Sequence, residues 1–163
     1  MADLKVEHIS PASPKEVFEA WTTPELFTTW FGPQGWHVPL ETISIDAREG
    51  EVNSFVLVQK QNPTITNEVR ATLDEIQEGR LLEWAEESSF ETGPVHLRVT
   101  FDPHGDNETK MTITQSPLPQ EYVEVSVQGW EYSLAKMDGM LLGKVLSNPI
   151  ETKKADDERE QNS

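Results

Sequence analysis

One apolar stripe near the end of the chain restricts the fold more than any other feature. Val123, Val127, Trp130, Leu134, Met137 and Leu141 recur at spacings of three and four residues, the repeat that puts side chains on one face of an α-helix. The spacing predicts a helix from about Tyr122 to Leu146. A helix of that length with one apolar face needs a broad apolar surface to lie on. The preceding chain supplies it. From residue 36 the hydrophobic period changes to two, the repeat of half-buried strands. Strands are expected at Trp36–Asp46, Val52–Gln59, Thr66–Ile76, Leu81–Glu87, Val95–Phe101 and Lys110–Gln115.

Short turn sequences separate these strands, among them Glu49-Gly50, Glu78-Gly79 and His104-Gly105-Asp106-Asn107. Turns this short join neighbours, so the strands should form an antiparallel meander. The alternation is cleanest where Val95, Leu97, Val99 and Phe101 face inward and His96, Arg98 and Thr100 outward. Pro39 implies an edge or a bulge, because proline cannot donate to the ladder. Pro117 and Pro119 should end the strands.

Ahead of the meander, Leu4–Ile9 reads as a first strand. Ser13-Pro14-Lys15-Glu16 has the form of a capping box with proline at the first helical position. It predicts a helix carrying Val17, Phe18 and Trp21 on one face. Thr23-Pro24-Glu25 begins a second short helix with Leu26, Phe27 and Trp30 as its stripe, stopped by Phe31-Gly32-Pro33. The expected class is α+β: a curved antiparallel sheet of six or seven strands around a long C-terminal helix, with two short helices near the N-terminus. Its domain should span 1–148. Residues 149–163 are highly charged and contain no aromatic. Such a segment cannot bury enough apolar area to offset its ordering entropy, so it is expected to be disordered.

Composition excludes several function classes. The 163 residues include no cysteine, which removes disulfides, thiolate metal sites and thiol nucleophiles. Lys plus Arg number 13 against 29 Asp plus Glu, a formal net charge of −16. That field repels phosphate backbones and anionic lipid, so neither nucleic acid nor a membrane surface is an expected partner. With no basic segment leading into an apolar one at the N-terminus, and no apolar run near the ~20 residues of a membrane span, a cytoplasmic location is expected.

No catalytic set is legible, and no metal or cofactor is expected. His8, His37, His96 and His104 lack the spacing of a local metal pair. Gly32-Pro33-Gln34-Gly35 lacks the lysine of a phosphate loop, and no nucleophile elbow occurs. Glu83, Glu86 and Glu87 read as the solvated face of a strand. The aromatics carry more information. Trp30, Phe31, Trp36, Phe55, Trp84, Phe101 and Trp130 should converge between sheet and helix. They would form either an ordinary core or the wall of a hollow, since one helix rarely fills a strongly curved sheet. The candidate lining is Trp30, Trp36, His37, Asn53, Phe55, Leu57, Trp84, Val99, Phe101, Trp130, Leu134 and Met137. Asn53, Gln59 and Trp84 are its polar candidates, and Met137 and Met140 would let the helix face adapt.

Val17-Phe18-Glu19-Ala20-Trp21-Thr22-Thr23-Pro24-Glu25 followed by Trp30-Phe31-Gly32-Pro33 resembles the entry signature of the activator-of-heat-shock-protein-90-ATPase homologues. These belong to the START/birch-pollen-allergen (SRPBCC) superfamily. Asp46-Ala47-Arg48-Glu49-Gly50, Glu75-Ile76, and Gly129-Trp130 with Leu134 are similar to that family's later landmarks. The resemblance spans roughly residues 4 to 146. It implies a helix-grip fold with a cavity between sheet and last helix. Two positions depart from the pattern: Glu51 where a second glycine is usual, and Asn53 where an aromatic is common. An inward Asn53 needs hydrogen-bond partners from a neighbour, a water or a ligand.

Three functions follow as expectations. The first is non-enzymatic binding of a small apolar molecule. The second, implied by the resemblance alone, is a protein-interaction module acting on a chaperone ATPase. The third is an enzyme on a polyketide-like or aromatic substrate, which needs a titratable group inside the hollow: His37, or a glutamate wrongly assigned to the surface. A homodimer through an edge strand or the entry helices is compatible with each.

Overall fold

The computed structural model describes residues 1–145. The expected helix end at Leu146, the domain end at 148 and the tail at 149–163 lie outside the described residues. The chain forms β1 (Ala2–Ser10), α1 (Pro14–Thr22), α2 (Pro24–Trp30), β2 (Trp36–His37), β3 (Val52–Gln59), β4 (Thr66–Gln77), β5 (Leu81–Glu86), β6 (Val95–His104), β7 (Glu108–Leu118) and α3 (Gln120–Val145). All seven strands join one antiparallel sheet in the order β1-β7-β6-β5-β4-β3-β2. Strands β2 to β7 are a meander, and β1 closes the far edge beside β7. The sheet curls into a half-barrel around α3, the helix-grip arrangement.

Local chemistry accounts for the two short helices. The Ser13 hydroxyl accepts the Glu16 N–H and donates to the Glu16 carboxylate, which starts α1. Gly32 turns the chain after α2 with φ of 126°. A Cβ there would stand 3.0 Å from the Trp36 carbonyl oxygen, so only glycine fits without displacing backbone.

Two strands differ most from expectation, while β1 and β6 extend their expected ranges by up to three residues. The strand expected over Trp36–Asp46 is reduced to Trp36–His37, because Pro39 has no N–H and leads into a 3-10 turn at Leu40–Thr42. Pairing resumes only at an isolated bridge between Ser44 and Ser54. Conversely, β7 does not stop at Gln115 but continues through Pro117 to Leu118, which pairs with Ala2. A bulge in the β1–β7 ladder, between Ala2 and Leu4, absorbs the register shift.

The apolar stripe of α3 is buried as its spacing predicts from Trp130 to Leu141, while Val123 and Val127 are half-buried. Leu134, Met137 and Leu141 are fully enclosed and share a core with Leu4, Val99, Phe101, Met111 and Ile113. The helix is not centred in the trough: it packs chiefly against β1 and α2. His8 Nε2 meets Asp138 Oδ2 at 2.8 Å across the β1 contact. Ser133 Oγ takes the Gly32 N–H at 3.1 Å and donates to the Gly32 carbonyl at 2.9 Å, fastening α3 to the loop after α2. The β1–β7 side of the sheet is therefore filled by helix. Over β3, β4 and β5 the roof is made instead by aromatics of α1, α2 and the residue after α2, joined by Trp130 of α3.

Candidate functional site

Beneath that roof lies a hollow of about 200 Å³. Its floor comes from alternate residues of the central strands: Asn53, Phe55 and Leu57 of β3, Asn67, Val69 and Ala71 of β4, Trp84 and Glu86 of β5, and Leu97 of β6. Trp21, Phe27, Phe31 and Trp130 make the roof, with Ile45 and Gln115 at the sides. Register explains the convergence. Ala71 stands opposite Asn53 on one side and Glu86 on the other, so one small residue lies between two polar ones in the floor.

The aromatic walls interlock. Trp21 is stacked on Trp84 at 6.1 Å between ring centroids and lies 5.7 Å from Trp130. Phe31 meets Phe55 edge-on at 5.0 Å and Trp130 at 5.7 Å. These mutual contacts hold the rings in place while leaving space between them. Trp130 Nε1 donates to Gln115 Oε1 at 2.8 Å. The indole N–H of Trp21 is buried without an acceptor among the described residues.

Of the sequence-derived candidates, Asn53, Phe55, Leu57, Trp84 and Trp130 line the hollow. Trp30, Val99, Phe101, Leu134 and Met137 do not: each is enclosed in the solid core on the helix-filled side. Trp30 even spends its indole N–H on the Ala20 carbonyl at 2.9 Å. Trp36, His37 and Gln59 also lie elsewhere. Trp36 and His37 pair with Gln59 and Val58 at the sheet edge, six and five residues along β3 from Asn53 and hence roughly 15–20 Å from it. Asn53 is not a free polar group. Its Oδ1 accepts the Asp46 N–H at 2.8 Å and its Nδ2 donates to the Glu51 carbonyl at 3.4 Å.

Glu86 overturns the reading of Glu83, Glu86 and Glu87 as one solvated face. Its carboxyl lines the hollow, and burial pushes its pKa up from 4.5 to about 7. The signal was present in the strand period: Leu82, Trp84 and Glu86 fall on one face of β5, and Leu82 is completely buried. Glu83, on the opposite face, pairs with Arg98 at 2.7 Å as a surface carboxylate should.

The hollow adjoins an open, more polar groove of about 680 Å³: Asn67, Val69, Glu86 and Gln115 border both. The first turns of α3 border the groove through Tyr122 and Ser126. Among the described residues no cluster of three or more His, Asp or Glu is placed to hold a metal ion. No helix there is long and apolar enough to cross a membrane.

Residues 11–141 match the family model described as Activator of Hsp90 ATPase homolog 1-like protein. No curated protein matches the sequence. Solved structures share the fold. A crystal structure of a protein from Chromobacterium violaceum is 18% identical with a TM-score of 0.76, covering 86% of this chain and 97% of that one. A protein from Silicibacter pomeroyi is 19% identical with a TM-score of 0.74, over 86% and 98% of the two chains. An NMR structure from Aeromonas hydrophila is 15% identical with a TM-score of 0.73, over 90% and 96%.

Proposed function

The chain belongs to the family of Activator of Hsp90 ATPase homolog 1-like proteins, and within that family we propose that it binds a small, largely apolar molecule in the hollow between sheet and roof, without transforming it. The observation that carries this reading is an aromatic-walled space of about 200 Å³ bordering a groove. Engineered apolar cavities of about 150 Å³ accept benzene, whereas drug-sized ligands need about 300 Å³ or more. The size fits one substituted ring and not a sterol or a long acyl chain.

Burying one ring removes on the order of 200 Å² from water, worth about 5 kcal/mol at ~25 cal/mol per Å². Affinity for a bare ring should then lie near 0.1–1 mM, on the order of what that energy supports. Calorimetric titration with toluene tests the proposal. Saturable one-site binding with a negative heat-capacity change supports it, and absence of any saturable heat overturns it. An enzyme would need Glu86 to work alone, because among the described residues it is the only ionisable side chain lining the hollow. A chaperone partner is suggested by the family's name alone, an associational warrant.

A further inference from the structure

The chemical character of the occupant can be taken further, on the premise that the hollow is a ligand site. We propose that the molecule is a small organic cation, an amine on an aromatic or compact aliphatic body, held with its body among Trp21, Trp84 and Trp130 and its ammonium group against the Glu86 carboxylate at the junction with the groove.

Three observations converge on that junction. First, among the described residues Glu86 is the sole ionisable group lining the hollow, and it also borders the groove. A ligand with an apolar body inside and a polar end outward would bring that end to Glu86. Second, among the described residues the carboxyl has no hydrogen-bond or ion-pair partner. Among the described residues the one cation bordering the groove, Arg70, lies 3.8 Å from Glu68 and 3.8 Å from Glu87, held between two other carboxylates. A half-buried carboxylate without a partner is costly, and an incoming ammonium removes that cost. Third, the walls are indole and phenyl faces, whose negative quadrupole attracts a cation within about 6 Å. The net charge of −16 raises the local concentration of cations and lowers that of anions.

The surroundings fix the direction of the pH dependence. β4 contributes Glu68 and Arg70, and Glu87 follows β5. β6 contributes Val95, β7 Gln115, and α3 Tyr122 and Ser126. No histidine borders either space. Burial holds Glu86 protonated up to about pH 7. Below that value it is a neutral donor, and above it a carboxylate. A primary amine stays protonated throughout, with a pKa near ~10.

The test is a matched series of 2-phenylethylamine, 2-phenylethanol and phenylacetate, titrated calorimetrically at a series of pH values. The amine should bind tightest of the three above pH 7. Its affinity should rise about thirtyfold from roughly pH 5.5 to roughly pH 8.5, the change in the ionised fraction of a group titrating near 7. In Glu86→Gln the amine should lose both its preference over the alcohol and its pH dependence. The wild-type pH series alone decides the matter should that variant misfold. If the alcohol binds as tightly as the amine, or amine affinity does not rise with pH, the cation proposal falls while the hollow survives as an apolar site. If none of the three binds, both fall.

Discussion

Trp130 Nε1 donates to Gln115 Oε1 at 2.8 Å, a bond from α3 to β7 at the boundary between hollow and groove. It fixes the indole that roofs the space and uses the acceptor of an amide that borders both compartments. Trp130 is only 7% exposed, so its N–H has no ready access to water if the amide is removed.

Gln115→Leu should therefore destabilise the fold by about 1–3 kcal/mol, the cost of leaving a buried donor unpaired. Urea unfolding with an unchanged m-value would report it. A change below a few tenths of a kcal/mol would mean that the bond does not hold the roof.

Ser133→Ala removes the hydroxyl that serves both backbone polar groups of Gly32. The carbonyl keeps its contact from Lys136 Nζ at 3.0 Å, but the buried N–H is orphaned. A loss of about 1–3 kcal/mol is expected in the same assay. Fast hydrogen exchange at Gly32 should accompany it, localising the effect to the loop after α2.

Glu86 gives stability a defined pH dependence. Its folded pKa of about 7 lies above the ordinary 4.5, so between those values the folded state binds more protons than the unfolded one. Its contribution is complete below about pH 4.5 and is lost as pH rises through about 7. Glu86→Gln should raise stability at pH 8 by about 2–3 kcal/mol, with the gain vanishing near pH 4.5. Thermal melts across this range check it, and a gain independent of pH would contradict it.

Ala71→Leu adds volume to the floor between Asn53 and Glu86. Ligand affinity should fall by at least about tenfold, while stability changes by less than ~1.5 kcal/mol because the added carbons enter empty space. Calorimetric titration beside urea unfolding checks both. Unaltered binding would place the ligand elsewhere.

The fold was legible because its devices are periodic. The stripe from Val123 to Leu141, the alternation in β6 and the Ser13-Pro14-Lys15-Glu16 cap each declare an element locally. The hollow was legible only in part. Phe55, Leu57 and Trp84 follow from inward alternation along their own strands. Which side of the trough α3 occupies is set by long-range contacts, such as His8 with Asp138 and Ser133 with Gly32, 130 and 101 residues apart. Without them nothing separated Leu134 and Met137, which face a solid core, from Trp130, which faces the space. Glu86 was hidden by composition: three carboxylates in five residues suggested a wet surface, although the period from Leu82 through Trp84 pointed it inward.

The five indole N–H signals offer the sharpest test, because they fall into two classes. Trp21, Trp84 and Trp130 line the hollow, whereas Trp30 is sealed in the core and Trp36 sits on the edge strand. In a ¹⁵N–¹H titration with toluene, the first three resonances should move together and saturate along one binding curve, with Trp30 and Trp36 nearly stationary. If the three stay still, or all five drift without saturating, the space between sheet and roof is not a binding site.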